Sequence, residues 1–366
     1  MSSTVDSGGG TGTGAAPTVV VAVVTWNSAA TIKECLKSLT QQEEFRLGVN
    51  LFVVVADNGS SDDSVAAVRQ FSLSTDGVRI LELGANFGFA GANNRIVTEF
   101  LRGSQSHLLL LNADCALAPT ALSFLVARAA DIVTPLLLRS DSDLRALQPH
   151  TIDAAGMTLT SDLRHFDRGS GEVDSGQFSK PEPVFGGTGA CLLFKRNVVE
   201  QLLLDGADRE HEVDRIFPVL ARGRSERAQL FDEAFFAYRE DADLCWRASL
   251  LGYSCWFDPR AVGYHQRRVT PERRADLPAF INRCGVRNRF LLQLNNIVEL
   301  PGIATILRGL LLRNIIVVLG VLLYERGSRG ALLEVLKLLP RAMRRRETLL
   351  KTITANRTGE FRACPG

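Results

Sequence analysis

No two of the chain's seven cysteines stand as a C-x-x-C pair, their number is odd, and most have apolar neighbours. A disulfide-framed scaffold and a zinc knuckle are thereby excluded, and buried small hydrophobes in a reducing compartment are expected instead. Net charge is almost absent too: 42 Lys and Arg against 40 Asp and Glu leave +2. Without a global positive field the chain is not expected to bind nucleic acid, and any electrostatic specialisation must be local. The N-terminus lacks the basic region and apolar core of a secretory signal, which predicts work on the cytoplasmic side. Large apolar residues are nearly missing from residues 1–17, a Gly/Ser/Thr-rich stretch that cannot offset the entropy of ordering and reads as a disordered tail.

What is present begins at Thr18. Residues 18–25 are β-branched and apolar on both faces, as in a strand buried inside a parallel sheet. A helix follows, with Ser28 as its expected cap and Ile32, Cys35, Leu36 and Leu39 on one stripe, then a second buried strand over 51–56. Strand, helix and strand imply a right-handed parallel crossover. The turn 57–64 leads to a helix through Val65, Val68 and Phe71, and then to a strand over 78–83. A glycine-bearing loop, 84–94, precedes another helix and a strand ending in Asn112-Ala113-Asp114. Such alternation predicts an α/β nucleotide-binding half with ligands at the carboxyl ends of the strands. Asp57, Asn86 and Asp114 all fall there.

Residues 136–182 show no clear period. Residues 184–194 read as a Gly-rich bend entering a strand, and 205–227 as a charged, solvated excursion. Residues 231–251 are expected to be one helix closed by Gly252, followed by a short strand over 253–257. The length of 366 residues accommodates one large domain with an appendage.

Asp114 follows a histidine and four leucines, so its carboxylate faces the ligand crevice, where it would hold Mg²⁺ or Mn²⁺ with diphosphate oxygens of a substrate. The same spacing suits a cap for a helix near Pro119. In Glu240-Asp241-Ala242-Asp243, Asp243 is expected to pair with Arg247 one turn on. That leaves Glu240 and Asp241 either to abstract a proton from an acceptor hydroxyl or to form an acidic first turn favoured by the helix dipole. His265 would complete a metal site or serve structurally. Residues 88–94 lack the G-x-G-x-x-G spacing and a Walker lysine, so they do not by themselves signal a phosphate cradle.

Taken in order, these pieces resemble the family 2 glycosyltransferases, particularly the rhamnosyltransferase-like branch, over residues 18–296. Val23-Val24-Thr25-Trp26-Asn27 is similar to that family's opening strand and turn, residues 55–62 to its base-binding segment, and residues 86–94 to its glycine loop. Leu111-Asn112-Ala113-Asp114 resembles its metal-binding strand end, and residues 231–247 its catalytic segment. The resemblance implies a single GT-A domain, α/β with a mixed, mainly parallel sheet, plus C-terminal amphipathic helices. It implies Thr25, Asn27, Asp57, Asn58, Asn86, Gly88 and Asn112 around a nucleoside-diphospho-sugar donor, with Asp114 and His265 on Mg²⁺ or Mn²⁺. Asp241 would be the general base, supported by Glu240. The implied reaction is inverting transfer, with L-rhamnose from dTDP-rhamnose favoured by the branch, to a cell-surface or lipid-linked glycan. Transfer from a UDP-hexose and a non-catalytic binding protein on the same fold are the alternatives. Asn112 stands where a first carboxylate would complete a D-x-D pair, leaving Asp114 to hold the ion almost alone.

Beyond the domain, 297–346 reads as a helical segment and 347–366 as a tail. The uncharged run over 314–324, about 11 residues at 1.5 Å each, covers about 16 Å of a bilayer core about 30 Å thick and is expected not to span it. Leu332, Leu333, Leu336 and Leu339 form a stripe followed by Arg341, Arg344, Arg345 and Arg346. Such a helix is expected to lie on the inner face of the cell membrane, or else against the domain or a second subunit of a homo-oligomer.

Overall fold

The structure, a computed structural model, describes residues 16–204, 211–223, 228–267, 278–298, 302 and 306–358. All but the last two residues of the expected N-terminal tail lie outside the described residues. The doubly apolar strand sequences form the centre of a ten-stranded sheet. Its strands are β1 (Val19–Thr25), β2 (Leu51–Asp57), β3 (Val78–Glu82), β4 (His107–Asn112), β5 (Cys115–Leu117), β6 (Ile132–Arg139) and β7 (Ile152–Ala154). After the separate hairpin of β8 (Met157–Leu159) and β9 (His165–Asp167) come β10 (Glu182–Val184), β11 (Cys191–Lys195) and β12 (Cys255–His265). The order is β10-β12-β6-β11-β4-β1-β2-β3, with β5 beside β12 and β7 beside β6. Strands β4, β1, β2 and β3 are parallel, as are β6 and β12, while β11 runs antiparallel between β4 and β6. The chain is thus a single α/β domain on a mixed, mainly parallel sheet, with helices C-terminal to it.

The period of two sorts each central strand onto two cores. Val20, Ala22, Val54, Ala56, Leu108 and Leu110 face the helix Gly88–Arg102 through Ile96, Val97 and Phe100. Val19, Val21, Val23, Val53, Leu109 and Leu111 face the helix Ile32–Thr40 through Ile32, Cys35, Leu36 and Leu39. Each of these valine, leucine, isoleucine and phenylalanine side chains, removed from water, stabilises by about 1.5–3 kcal/mol. Six cysteines are described, all buried and unbridged.

Several expectations change. Ser28 does not cap the first helix; Thr31 holds the N-cap position without a side-chain capping bond, and the Ser28 carbonyl accepts from the Thr31 and Ile32 N–H groups. The glycine loop is largely the start of a helix, which begins at Gly88. Gly88 has φ +71°, and a Cβ there would lie 2.3 Å from the Phe236 carbonyl oxygen. Gly88→Ala is therefore expected to cost about 1–3 kcal/mol, read as a lower urea midpoint at unchanged slope.

The helix expected over 231–251 starts only at Glu240, because Phe236, Tyr238 and Arg239 all adopt positive φ. The short strand expected over 253–257 extends to His265, absorbing Asp258-Pro259 in a register shift. Residues 205–210 and 224–227 of the expected excursion lie outside the described residues, but Val213 and Leu220 between them are buried in the core.

The C-terminal segment differs most. Arg313 ends the uncharged run in sequence without ending the helix. Ile306–Leu312 is π-helical, Arg313–Leu323 is α-helical, and the 18 residues Ile306–Leu323 are together long and apolar enough to cross a membrane. The expectation of a segment too short to span therefore falls. The next helix, Arg329–Thr358, runs unbroken past the expected boundary at 346 and contains Pro340.

Candidate active site

Thr25 and Asp57 end β1 and β2 as register partners. Both are buried, and neither Thr25 Oγ1 nor Asp57 Oδ1 has a hydrogen-bond partner among the described residues. Asp57 Oδ2 accepts from the Gly59 and Ser60 N–H groups at 3.2 Å, which fixes the carboxylate. Two adjacent buried oxygens without partners are costly unless a ligand donates to them.

Asn27, at φ 53°, accepts on Oδ1 from the Ser61 N–H at 2.8 Å and shapes the turn beside them. Asn58 is buried and ties two turns together. Its Nδ2 donates to Asn86 Oδ1 and to the Gly88 carbonyl, and its Oδ1 accepts from the Phe87 N–H. Asn86 Oδ1 also accepts from the Gly88 N–H. Asn112, half-buried at the end of β4, donates its backbone N–H to Ala190.

At the next strand end, His265 links two carboxylates. Its Nε2 lies 3.4 Å from Asp114 Oδ1 and its Nδ1 2.8 Å from Asp153 Oδ2. Burial alone would lower the imidazole pKa, but hydrogen bonds to Asp114 and Asp153 hold it up at about 9. Burial would likewise raise Asp153, yet His265, Arg267 and Arg139 keep it below the usual carboxylate range. Arg267 also pairs with Asp167 on β9. Burial, aided by Asp241 and Asp153, raises Asp167 in spite of that arginine. A chain of charge thus runs from Asp114 to Asp167, within the field of Asp241. Asp153, Asp167 and Arg267 were not expected from the sequence; the first two lie in the stretch without a period.

Asp241 is the second residue of the helix Glu240–Leu250. Its Oδ2 accepts from the Gly189 N–H at 2.9 Å and its Oδ1 from the Ala242 N–H at 2.8 Å. Gly186 permits the close approach of strand and helix, since a Cβ there would fall 2.5 Å from the Cys245 Cβ. Glu240 is buried and its Oε2 has no partner among the described residues. Burial first, then the charges of Asp241 and Asp243, push its carboxyl well above the usual range. Asp243 does not hydrogen-bond Arg247 as expected. It accepts from Asn296 at 2.7 Å and Asn295 at 3.3 Å, while Arg247 donates to the carbonyls of Leu202 and Leu230.

The irregular turn ahead of Glu240 is built from outside. Asn288 Nδ2 donates to the carbonyls of Phe235, Ala237 and Tyr238, and Arg287 donates to Phe235. Asn94, in the glycine-loop helix, clamps Phe231 in both directions and donates to Glu233. None of these three roles is legible in spacing, because each joins segments far apart in the chain.

Asp114 and His265 fit a divalent ion as a partial set. Among the described residues no three His, Cys, Asp or Glu side chains could hold one. A carboxylate and an imidazole suit an ion that takes its remaining ligands from substrate phosphates and water.

Polar turns gathered at the carboxyl ends of parallel strands, with an acid-headed helix facing them, are the arrangement of an α/β nucleotide-binding site, and the fold matches that of GT-A glycosyltransferases. The model described as glycosyl transferase family 2 matches residues 20–203, half of the chain, and the chain belongs to that family. It is 32% identical over 117 residues to an uncharacterized protein of Mycobacterium tuberculosis, covering 32% of this chain and 34% of that one. It is 33% identical over 100 residues to the glycosyltransferase AglE of Haloferax volcanii, covering 27% and 31%. The chain thus spans about a third of the length of the curated relatives it matches. The crystal structure of GalNAc-T7 with UDP, GalNAc and Mn²⁺ is similar in fold, with TM-score 0.53 at 13% identity, covering 76% of this chain and 48% of that one.

Proposed function

We propose that the chain transfers one sugar, with inversion, from a nucleoside diphosphate to a hydroxyl of a cell-surface or lipid-linked glycan, working on the cytoplasmic side. The observation that carries this reading is the pair of buried, unpartnered oxygens on Thr25 and Asp57, which calls for the N–H or O–H groups of a nucleoside. The likeness of the motifs to the rhamnosyltransferase-like branch favours L-rhamnose from dTDP-rhamnose as donor.

In the reaction, the acceptor oxygen bonds to the anomeric carbon as that carbon's bond to the diphosphate breaks. The acceptor proton passes to Asp241, whose orientation the Gly189 N–H fixes. The nucleoside diphosphate departs with the bonding pair. Asp114 and His265 would hold Mg²⁺ or Mn²⁺, whose charge stabilises the leaving diphosphate. Arg267 and Asp153 hold His265 in place. Burial and the charges of Asp241 and Asp243 hold the Glu240 carboxyl well above the usual range, which disfavours its charged form beside the base.

Calorimetric titration with dTDP-rhamnose, UDP-galactose, UDP-glucose and GDP-mannose, with and without Mn²⁺, tests this reading. One donor is expected to bind, more tightly with metal, and Asp114→Ala is expected to abolish the metal-dependent part alone. Absence of binding by every nucleotide sugar would overturn it.

A further inference from the structure

An exposed apolar surface lies on the helices C-terminal to the domain. On Ile306–Leu323, only 11% of which is buried, Leu311, Leu312, Ile315, Ile316, Leu319 and Leu323 are each at least half exposed. Leu333 and Leu336 on the following helix are exposed to a similar degree. A soluble monomer rarely leaves so continuous a patch in water. Its surroundings are mainly basic. Arg308, Arg326, Arg329 and Lys337 are exposed within or beside it, while Arg313, its Nε buried, lies in the field of Asp162; the acids between 306 and 340 are Glu325 and Glu334. Glu334 is buried in ion pairs with Arg283 and Arg287.

We propose that this face docks on an anionic lipid bilayer, with Ile306–Leu323 lying in the interface instead of crossing it. Apolar side chains bordered by arginine and lysine match acyl chains bordered by anionic headgroups. A second copy fits less well, because a two-fold contact would set the basic borders against each other. The inner side of the helix explains why it lies flat. Asn314 accepts from Arg289 and donates to Gln293, and Val321 is buried beside Val286 and Ala331. At Gly309 the backbone comes so near Asp162 that a Cβ would fall 2.9 Å from its carbonyl oxygen. A span would have to break all of these contacts.

The contact at Asp162 also sets the direction from which the acceptor arrives. Asp162 closes the hairpin of β8 and β9, whose far end carries Asp167, joined to Asp153 through Arg267, and whose His165 Nδ1 lies 3.4 Å from Nη1 of Arg239, two residues before Asp241. One hairpin therefore touches the docking helix at its tip and the acidic site at its end. A glycan anchored in the same leaflet would reach Asp241 along it; this last step rests on the proposed transferase reading, whereas the docking does not.

Flotation of the full chain with phosphatidylcholine vesicles, with and without phosphatidylglycerol, tests the docking without any donor. The chain is expected to float with the anionic vesicles, and to leave them as salt is raised. Arg308→Gln and Arg326→Gln are each expected to weaken partition roughly fivefold, and Ile315→Glu with Leu319→Glu to abolish it. These four side chains lie outside the site, so unchanged donor titration shows that the variants are folded. A chain that stays soluble with anionic vesicles at low salt overturns the proposal, as does equal binding to neutral vesicles. A dimer by light scattering that Ile315→Glu with Leu319→Glu makes monomeric, with no flotation, would assign the face to a second copy.

Discussion

Asp241→Asn is expected to lower kcat by about 10²–10⁴-fold while leaving the donor dissociation constant nearly unchanged. The carboxylate accepts from Gly189 through one oxygen and from Ala242 through the other. An amide of the same size keeps at most one of these acceptors and cannot take the proton of an acceptor hydroxyl. No neighbour replaces it. Glu240 is adjacent in sequence, but burial and the charges of Asp241 and Asp243 push its carboxyl well above the usual range and disfavour its charged form. Glu240→Gln, which fixes the uncharged form, is accordingly expected to reduce kcat far less than Asp241→Asn. Steady-state kinetics on both variants, with calorimetric donor binding beside them, separates the base from its neighbour. Turnover retained in Asp241→Asn would remove that residue from the reaction.

What could be read from the sequence followed local periodicity. β1, β2 and β4 are apolar on both faces, and their run lengths and polar ends placed Thr25, Asp57 and Asp114 at strand ends, where the structure has them. The turn before Glu240 could not be read this way. Its helical pattern is overridden by Asn288, whose amide takes three carbonyls that a helix would use internally. Asp153 and Asp167 were hidden for a different reason. β7 and β9 are three residues long, too short for a period to show, and the partners of these acids lie about a hundred residues away. The helix Ile306–Leu323 was underestimated because a charge was read as an end. Arg308 and Arg313 interrupt the apolar run in sequence, yet long side chains of this kind can carry their charge to the edge of an apolar face.

Arg341→Met is expected to destabilise the fold by about 3–5 kcal/mol and to lower kcat with it. Asp232 is fully buried, and Arg341, itself 2% exposed, meets it at 2.7 Å, with Arg345 at 2.5 Å. Burial would raise this carboxyl, but the two arginines hold it well below the usual range. A depressed carboxylate stabilises the native state above its unfolded pKa of about 3.9. Its contribution is lost as pH falls through the lower native value, so the pair survives mild acid. Removing Arg341 leaves Asp232 charged, buried and short of a partner. Replacing both ends with apolar groups, Arg341→Met with Asp232→Leu, is expected to recover part of the loss in urea unfolding, since the under-paired buried carboxylate is removed while Arg345, whose side chain is 15% exposed, loses its partner. Activity is expected not to recover in parallel. Asp232 also accepts from Asn295 and from the Ala234 N–H, and it stands immediately before the turn that delivers Glu240 and Asp241. The helix Arg329–Thr358 therefore reaches the site through the buried pairs that Arg341 and Arg345 make with Asp232. A double variant with partly restored unfolding midpoint and depressed kcat would show that the pair positions the catalytic turn, whereas kcat restored along with stability would limit Arg341 to holding the fold together.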